Sequence, residues 1–489
     1  MEIGRTFTVF IILITVCLVK TRERNYIIPN PTAKTHFKEQ SLNTVSFKSA
    51  KIIETSTISS PGPISTPRPQ LYDIILRFSE VGLRKIGPDF IISQKIISLS
   101  LDNNEISNIS PLAFRSMRNL RYLNLSGNKI PTERLLSLEG VTELQTLIIN
   151  NNNPINPIKI EKHSNYSAVE CVFEKLEYLH LCNSQLKNFK IHHQMMPLLT
   201  HLYLSNNSIE SADIIFNNIP ATLRTLYLDN NLIDQVEQNK LRNLLELVMN
   251  NNYITEVCFD KCQKKSIPLR GANKLKKLSL SKNQISKVLV DAFTDTEKLE
   301  YLDLSGNNIT EIINGTFNNP VWIKILSLAD NKFITIPNIC PLKYLTSLDL
   351  SGNRINAVHA NNFCNFAYLE RLYLANNSIT TIGHQAFSNF RSLKNLDLSG
   401  NQLSQFPPQW ANVWRLEELH LERNKFEELS DVTLGTMKKL KNVYLDENPM
   451  IHFKAESFKS LSANFTVHLK NILIEKTYED NYDDSNDYD

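Results

Sequence analysis

The chain has 489 residues, with 53 Lys and Arg against 50 Asp and Glu and a formal net charge of +3. Charge this modest and dispersed excludes the concentrated basic stripe of a nucleic-acid groove. A chain of this length ordinarily divides into two or three domains, unless one repeat extends a single domain far beyond globular size.

The N-terminal residues come first. Residues 7–19 form an apolar run after Arg5, too short to span a bilayer and right for the core of a signal peptide, so residues 1–19 are expected to direct secretion. Lys20, Arg22 and Arg24 follow it without a small-x-small cleavage site, which leaves an uncleaved anchor as the alternative. Residues 20–70 are polar and rich in Ser, Thr and Pro, as in Ser59 to Pro69, and read as a disordered leader. No other segment approaches the roughly 20 apolar residues of a membrane helix, and with a polar C-terminus no hydrophobic lipid-anchor signal is expected.

Fifteen times between Ile96 and Met450 the chain repeats LxxLxLxxNx(I/L/F), usually every 23 or 24 residues. Three clean copies run from Leu299 to Ile309, from Leu345 to Ile355 and from Leu393 to Leu403. One such unit cannot bury its own leucines, so copies must stack. The LxL alternation has the period of a short strand with one buried face, and successive copies can pair these strands in parallel. On these motifs the sequence resembles the extracellular leucine-rich repeat proteins with typical 24-residue repeats. The fold class expected is an α/β-type repeat solenoid, a curved horseshoe of short parallel strands with an irregular or 3-10 convex side, over residues 71–474. Many members of that family cap both ends with cysteine clusters. Here no cluster precedes the first copy, and no cysteine follows Asn448-Pro449, so Tyr72 to Phe90 and Phe465 to Leu469 are expected to shield the end rungs.

The motif asparagine recurs as Asn104, Asn128, Asn152, Asn207, Asn231, Asn252, Asn283, Asn307, Asn331, Asn353, Asn377, Asn401, Asn424 and Asn448, broken only by Ser184. An amide carries donor and acceptor together, so it can satisfy backbone groups that the strand has just left. Six positions before the first apolar residue of a copy lie Phe114, Phe293, Phe317, Phe363, Phe387 and Trp410, with Phe458 in a terminal copy, an expected aromatic spine inside the convex side.

Beyond Cys17, six cysteines fit an oxidising compartment. Cys340 and Cys364 share a repeat phase, so stacking sets them roughly 5 Å apart, within disulfide reach, with two packed thiols as the alternative. Cys258 and Cys262 suit a local disulfide better than a metal site, since no His or second pair is near. Cys171 and Cys182 pair by elimination. Sequons at Asn108, Asn124, Asn165, Asn206, Asn308, Asn314, Asn376 and Asn464 are expected to carry glycans in part, and one on Asn124, inside its LxL, would obstruct the N-terminal end of the concave face.

Fifteen rungs give a concave sheet roughly 70 Å long, ample for a protein-sized ligand. Three consecutive copies present Tyr178 and His180, His201 and Tyr203, then Thr225 and Tyr227, large amphipathic side chains of the kind binding hot spots favour. Tyr122, Tyr301, Tyr373 and Tyr444 hold similar positions elsewhere without clustering. The copies starting at Leu144 and Leu244, which flank the group, are expanded to 32 and 31 residues, as insertions that shape a binding region often are. His163, His192 and His193 crowd the same stretch, the raw material of a pH-dependent contact or metal clip set against ordinary surface histidines.

Residues 475–489 form an acidic tail whose last twelve residues hold six acids and no base. Tyr478, Tyr482 and Tyr488 lie among these carboxylates, a context similar to tyrosine-sulfation sites in secreted matrix proteins of this repeat class. No nucleophile elbow, HExxH or phosphate-cradling loop occurs, so no enzyme and no cofactor are expected. The reading is a secreted glycoprotein that binds an extracellular protein or glycan through its concave face, in immune recognition or adhesion. The alternative is a matrix protein that uses its tail as an anionic handle.

Overall fold

The computed structural model describes residues 51–54, 73–152, 173–187, 189, 194–260, 262–320, 322–408, 410, 413–432, 434, 437–450 and 465–470. The signal run, His163, Cys171, His192, His193, Asn165, Phe458, Asn464 and the tyrosines of the tail lie outside them. The chain forms two compact units, one of Met1–Cys171 with His180–Ser184 and one of Val172–Leu179 with Gln185–Asp489.

In the first unit, strands Ile96–Ser100, Tyr122–Asn124 and Thr146–Ile148 run parallel and in register, with Leu99, Leu123 and Leu147 opposite one another and wholly buried. Strand Ile74–Arg77 adds in parallel to Ile96–Ser100, and Lys51–Glu54, within the stretch read as leader, pairs antiparallel with it. The open edge of the first repeat is thereby covered by backbone pairing, which removes the unpaired N–H and C=O groups of a sheet edge.

The second unit repeats the scheme from His201–Tyr203 to Thr466–His468 in parallel register, one strand per copy. The expanded copy that starts at Leu244 makes use of its extra residues on the far side. There Glu256–Cys258 pairs in parallel with Ser266–Pro268 and with Lys287–Val288. The disulfide Cys258–Cys262 closes the loop between the first two of these strands, and Cys340–Cys364, with Cα atoms 5.4 Å apart, ties two neighbouring copies. Cys182 is buried and its N–H donates to Asn150 Oδ1 at 2.7 Å.

The asparagine ladder bridges neighbours as well as capping its own turn. Asn353 Nδ2 donates to Leu350 and Ser351 carbonyls of its own repeat and to Leu328 O of the preceding one, at 2.9, 3.2 and 3.0 Å. Its Oδ1 accepts from the Phe333 N–H at 3.1 Å. Thirteen of the fourteen asparagines are buried, Asn207 being half-buried, and the buried Ser184 hydroxyl donates to Cys182 O at 3.1 Å. The residue before each ladder asparagine is left-handed, from Asn103 (φ 53°) to Glu447 (φ 58°), which favours Gly and Asn there. At Gly352 an added Cβ would also lie 2.1 Å from Asp330 Oδ1.

The aromatic spine is interrupted. Phe293 stacks on Phe317 (centroids 5.5 Å), and Phe363 on Phe387 (6.0 Å) with Trp410 edge-on beyond it, while the buried Ile339 occupies the phase between these runs.

Candidate strand-face recognition site

The outward side chains of each three-residue strand flank its buried central leucine, because successive residues alternate faces. In-register pairing then lines them up in two columns of the second unit. His201, Thr225, Glu246, Lys277 and Tyr301 precede the leucine, and Tyr203, Tyr227, Val248, Ser279 and Asp303 follow it.

Tyr178 stacks on His201 with centroids 4.3 Å apart and planes 16° from parallel, and Tyr203 packs on Tyr227 at 5.0 Å. The Tyr227 hydroxyl donates to Glu246 Oε1 at 2.7 Å. Lys277 pairs with the same carboxylate and lies 5.7 Å from the Tyr227 ring centroid and 5.6 Å from that of Tyr301. One stacked pair, one tilted pair and one ion pair between tyrosines therefore make a platform whose side chains brace one another before any ligand arrives. Burial, then the Glu246 charge, pushes the Tyr227 hydroxyl far above its ordinary pKa, so it stays a donor at every physiological pH.

Glu246, Lys277 and Tyr301 were not singled out from the sequence. The signal was present, since each precedes the second leucine of its motif, but the 31-residue copy hides that Glu246 and Lys277 are neighbours. His180, expected on this open face, is buried with 8% exposure in the first unit, where its carbonyl accepts from the Ile149 N–H, and Thr225 is buried too. The tyrosines taken as isolated need correction at two positions. Tyr301 joins the platform, and Tyr444 stacks between His420 and His468 at 4.3 Å on both sides, because three consecutive rungs carry rings in register.

The two stacked histidines His201 and His420 titrate in opposite directions. Burial lowers the His201 pKa against a weaker pull from Glu246, so the unfolded chain takes up a proton first and stability falls as pH drops below about 6.5. His420 bonds Glu422 at 3.1 Å, which raises its pKa, so its contribution is full below about 6.5 and fades as pH rises through the raised value. Urea midpoints measured across this range are expected to lose their acid-side slope in His201→Gln and their alkaline-side decline in His420→Gln.

Of the sequons, Asn108, Asn206, Asn314 and Asn376 are exposed, and Asn124 and Asn308 are half-buried. Among the described residues no three His, Cys, Asp or Glu side chains are placed to hold a metal ion, and no helix is long and apolar enough to cross a membrane.

The leucine rich repeat family model matches residues 69–130, 94–155, 273–333 and 343–403. The chain carries leucine-rich repeats. It is similar to podocan of Mus musculus, 25% identical over 261 residues that cover 48% of this chain and 41% of podocan. It is also similar to keratocan of Coturnix japonica, 30% identical over 229 residues covering 42% of this chain and 61% of keratocan. The matches thus span about two-fifths to three-fifths of the length of these relatives. In fold, the chain resembles the solved Drosophila Toll–Spatzle complex with a TM-score of 0.56 at 16% identity, over 76% of this chain and 53% of that one.

Proposed function

We propose that the chain is a secreted, glycosylated recognition protein that binds another extracellular protein through the strand face between Tyr178 and Tyr301. The observation that carries this reading is the preorganised platform: Tyr178 on His201, Tyr203 on Tyr227, and Lys277 held between two tyrosines by Glu246. Stiff aromatic side chains already locked by their neighbours lose little entropy on binding, which is why such groups dominate interface energetics. Two disulfides and the likeness to small leucine-rich proteoglycans support an extracellular setting. The same likeness favours a second reading, matrix organisation through the acidic tail.

The partner is first to be captured from extracellular fluid with the glycosylated chain and then titrated against variants. Tyr203→Ala with Tyr227→Ala is expected to weaken it by about 2–4 kcal/mol, roughly 30- to 1000-fold, with an unchanged unfolding midpoint. Unaltered affinity would remove the platform from the interface. Loss of binding on deleting residues 478–489, with the tyrosine variant unaffected, would favour the matrix reading.

A further inference from the structure

Repeats of the second unit enter their strands through short turns or bends such as those at 343–344, 367–368, 414–415 and 438–439. Trp322, Tyr344 and Tyr368 form one column on this flank, with centroids 4.5 and 5.9 Å apart and planes within 17° of parallel. The three rings are 48%, 38% and 55% exposed, and Trp414, further along, is 50% exposed. The turns from Lys343 to Lys439 also hold five cations, Lys343, Arg391, Arg415, Lys438 and Lys439, and no acid. None of the five forms an ion pair with a described residue, although Arg415 lies 4.8 Å over the Trp414 ring.

The adjoining column at the strand entrance is compensated instead, by Glu300–Lys324, Glu370–Lys394 and Glu417–Lys441 at 2.5 to 2.9 Å. The flank therefore combines unpaired like charges, which repel on stacked rungs, with a row of exposed rings that a monomer seldom leaves uncovered. Both features call for a segment that is anionic and aromatic. The chain contains one: Tyr478–Asp489 has six acids, three tyrosines and no base.

The path is short. Strand Thr466–His468 pairs in parallel with Asn442–Tyr444, whose entrance turn is Lys438-Lys439, so the chain leaves the ladder one rung beyond the cationic end of the column, at the far end of a three-residue strand roughly 10 Å long. Residues 471–489 can extend up to about 60 Å, whereas the six rung steps back to Ile325–Ser327 occupy only about 29 Å.

We propose that the acidic tail, residues 478–489, docks along the turn column of its own second unit. Its carboxylates neutralise the cations of the turns, and its tyrosines pack against the exposed rings. Sulfate on Tyr478, Tyr482 or Tyr488 would add charge to the same contact. This surface is the flank of the strands, so the inference does not rest on the strand-face reading.

The chain's three tryptophans make the test direct, since Trp322 and Trp414 belong to the column and Trp410 is buried. Acrylamide, an uncharged quencher, is applied to the full chain. Quenching is expected to rise about twofold in about 0.5 M salt, where screening acts within a few ångströms. It should rise equally at low salt when the six tail acids are neutralised (Glu479→Gln with Asp→Asn at 480, 483, 484, 487 and 489), and in Lys343→Gln with Arg391→Gln and Lys438→Gln. All these changes sit on the tail or on exposed turns, and an unchanged circular dichroism spectrum checks the fold. Quenching unaffected by tail neutralisation overturns the proposal. Protection that appears only as protein concentration rises, with a dimer in sedimentation, overturns it in favour of a second copy's tail.

Discussion

Replacing Asn353 with alanine is expected to destabilise the second unit by about 2–4 kcal/mol, although the side chain touches no ligand surface and carries no charge. The reason lies in which groups lose their last partner. Leu350 O keeps a bond from Asn377 and Leu328 O keeps one from Asn331, because each of these carbonyls accepts from two successive ladder asparagines. The Phe333 N–H, donated to Asn353 Oδ1, is left buried with no acceptor. The orphaned buried donor, at about 1–3 kcal/mol, and a fraction of the roughly 1 kcal/mol normal for each of the three weakened bonds set the magnitude. Asn353→Asp should be worse than alanine at neutral pH and recover on acidification. The carboxylate keeps the Phe333 contact but turns an oxygen toward three carbonyls until it takes up a proton. Urea unfolding of both variants at pH 7 and 5 checks the order. An Asp variant as stable as wild type would show that the ladder acts through shape alone. Hydrogen exchange should locate the lost protection in the adjoining rungs, since coupling in a repeat array is to nearest neighbours.

The repeat phase made the rungs legible before any coordinates, because two buried leucines and one asparagine per copy are set by stacking geometry and nothing else satisfies them. All fifteen motif copies carry a strand, from Ile96–Ser100 to Asn442–Tyr444. What escaped the sequence depends on relations that a fixed period does not express. Glu246 and Lys277 are adjacent only because the intervening residues leave the ladder to form strands Glu256–Cys258 and Ser266–Pro268. The His420–Tyr444–His468 stack mixes residue types at one phase, so a search for clustered tyrosines passes over it. Strand Lys51–Glu54 lies in a polar stretch without repeat phase, and its place comes from the edge of Ile74–Arg77. The turn column of Trp322, Tyr344 and Tyr368 falls one residue before the motif, outside the pattern that defines a copy.

Trp410→Ala is expected to cost about 3–5 kcal/mol, at the upper end for a single substitution in this chain, because three kinds of contact end together. The indole is 1% exposed, stacks on Phe406 at 4.2 Å and meets Phe387 edge-on at 5.7 Å. Its Nε1–H donates to Val432 O at 3.2 Å, tying the convex side of one repeat to the 3-10 turn Leu429–Val432 of the next. Alanine opens a large cavity between two aromatic rings that cannot collapse inward without breaking the rung spacing, and it strands a buried carbonyl. Trp410→Phe separates the two effects, since it keeps most of the packing and loses only the donor. About 1–2 kcal/mol is expected for that variant. Urea midpoints give both values. If phenylalanine proves as damaging as alanine, the hydrogen bond to Val432 rather than the filled volume holds the last repeats together. If the two variants are alike because both are mild, the aromatic column is ornamental to a ladder that the asparagines already secure.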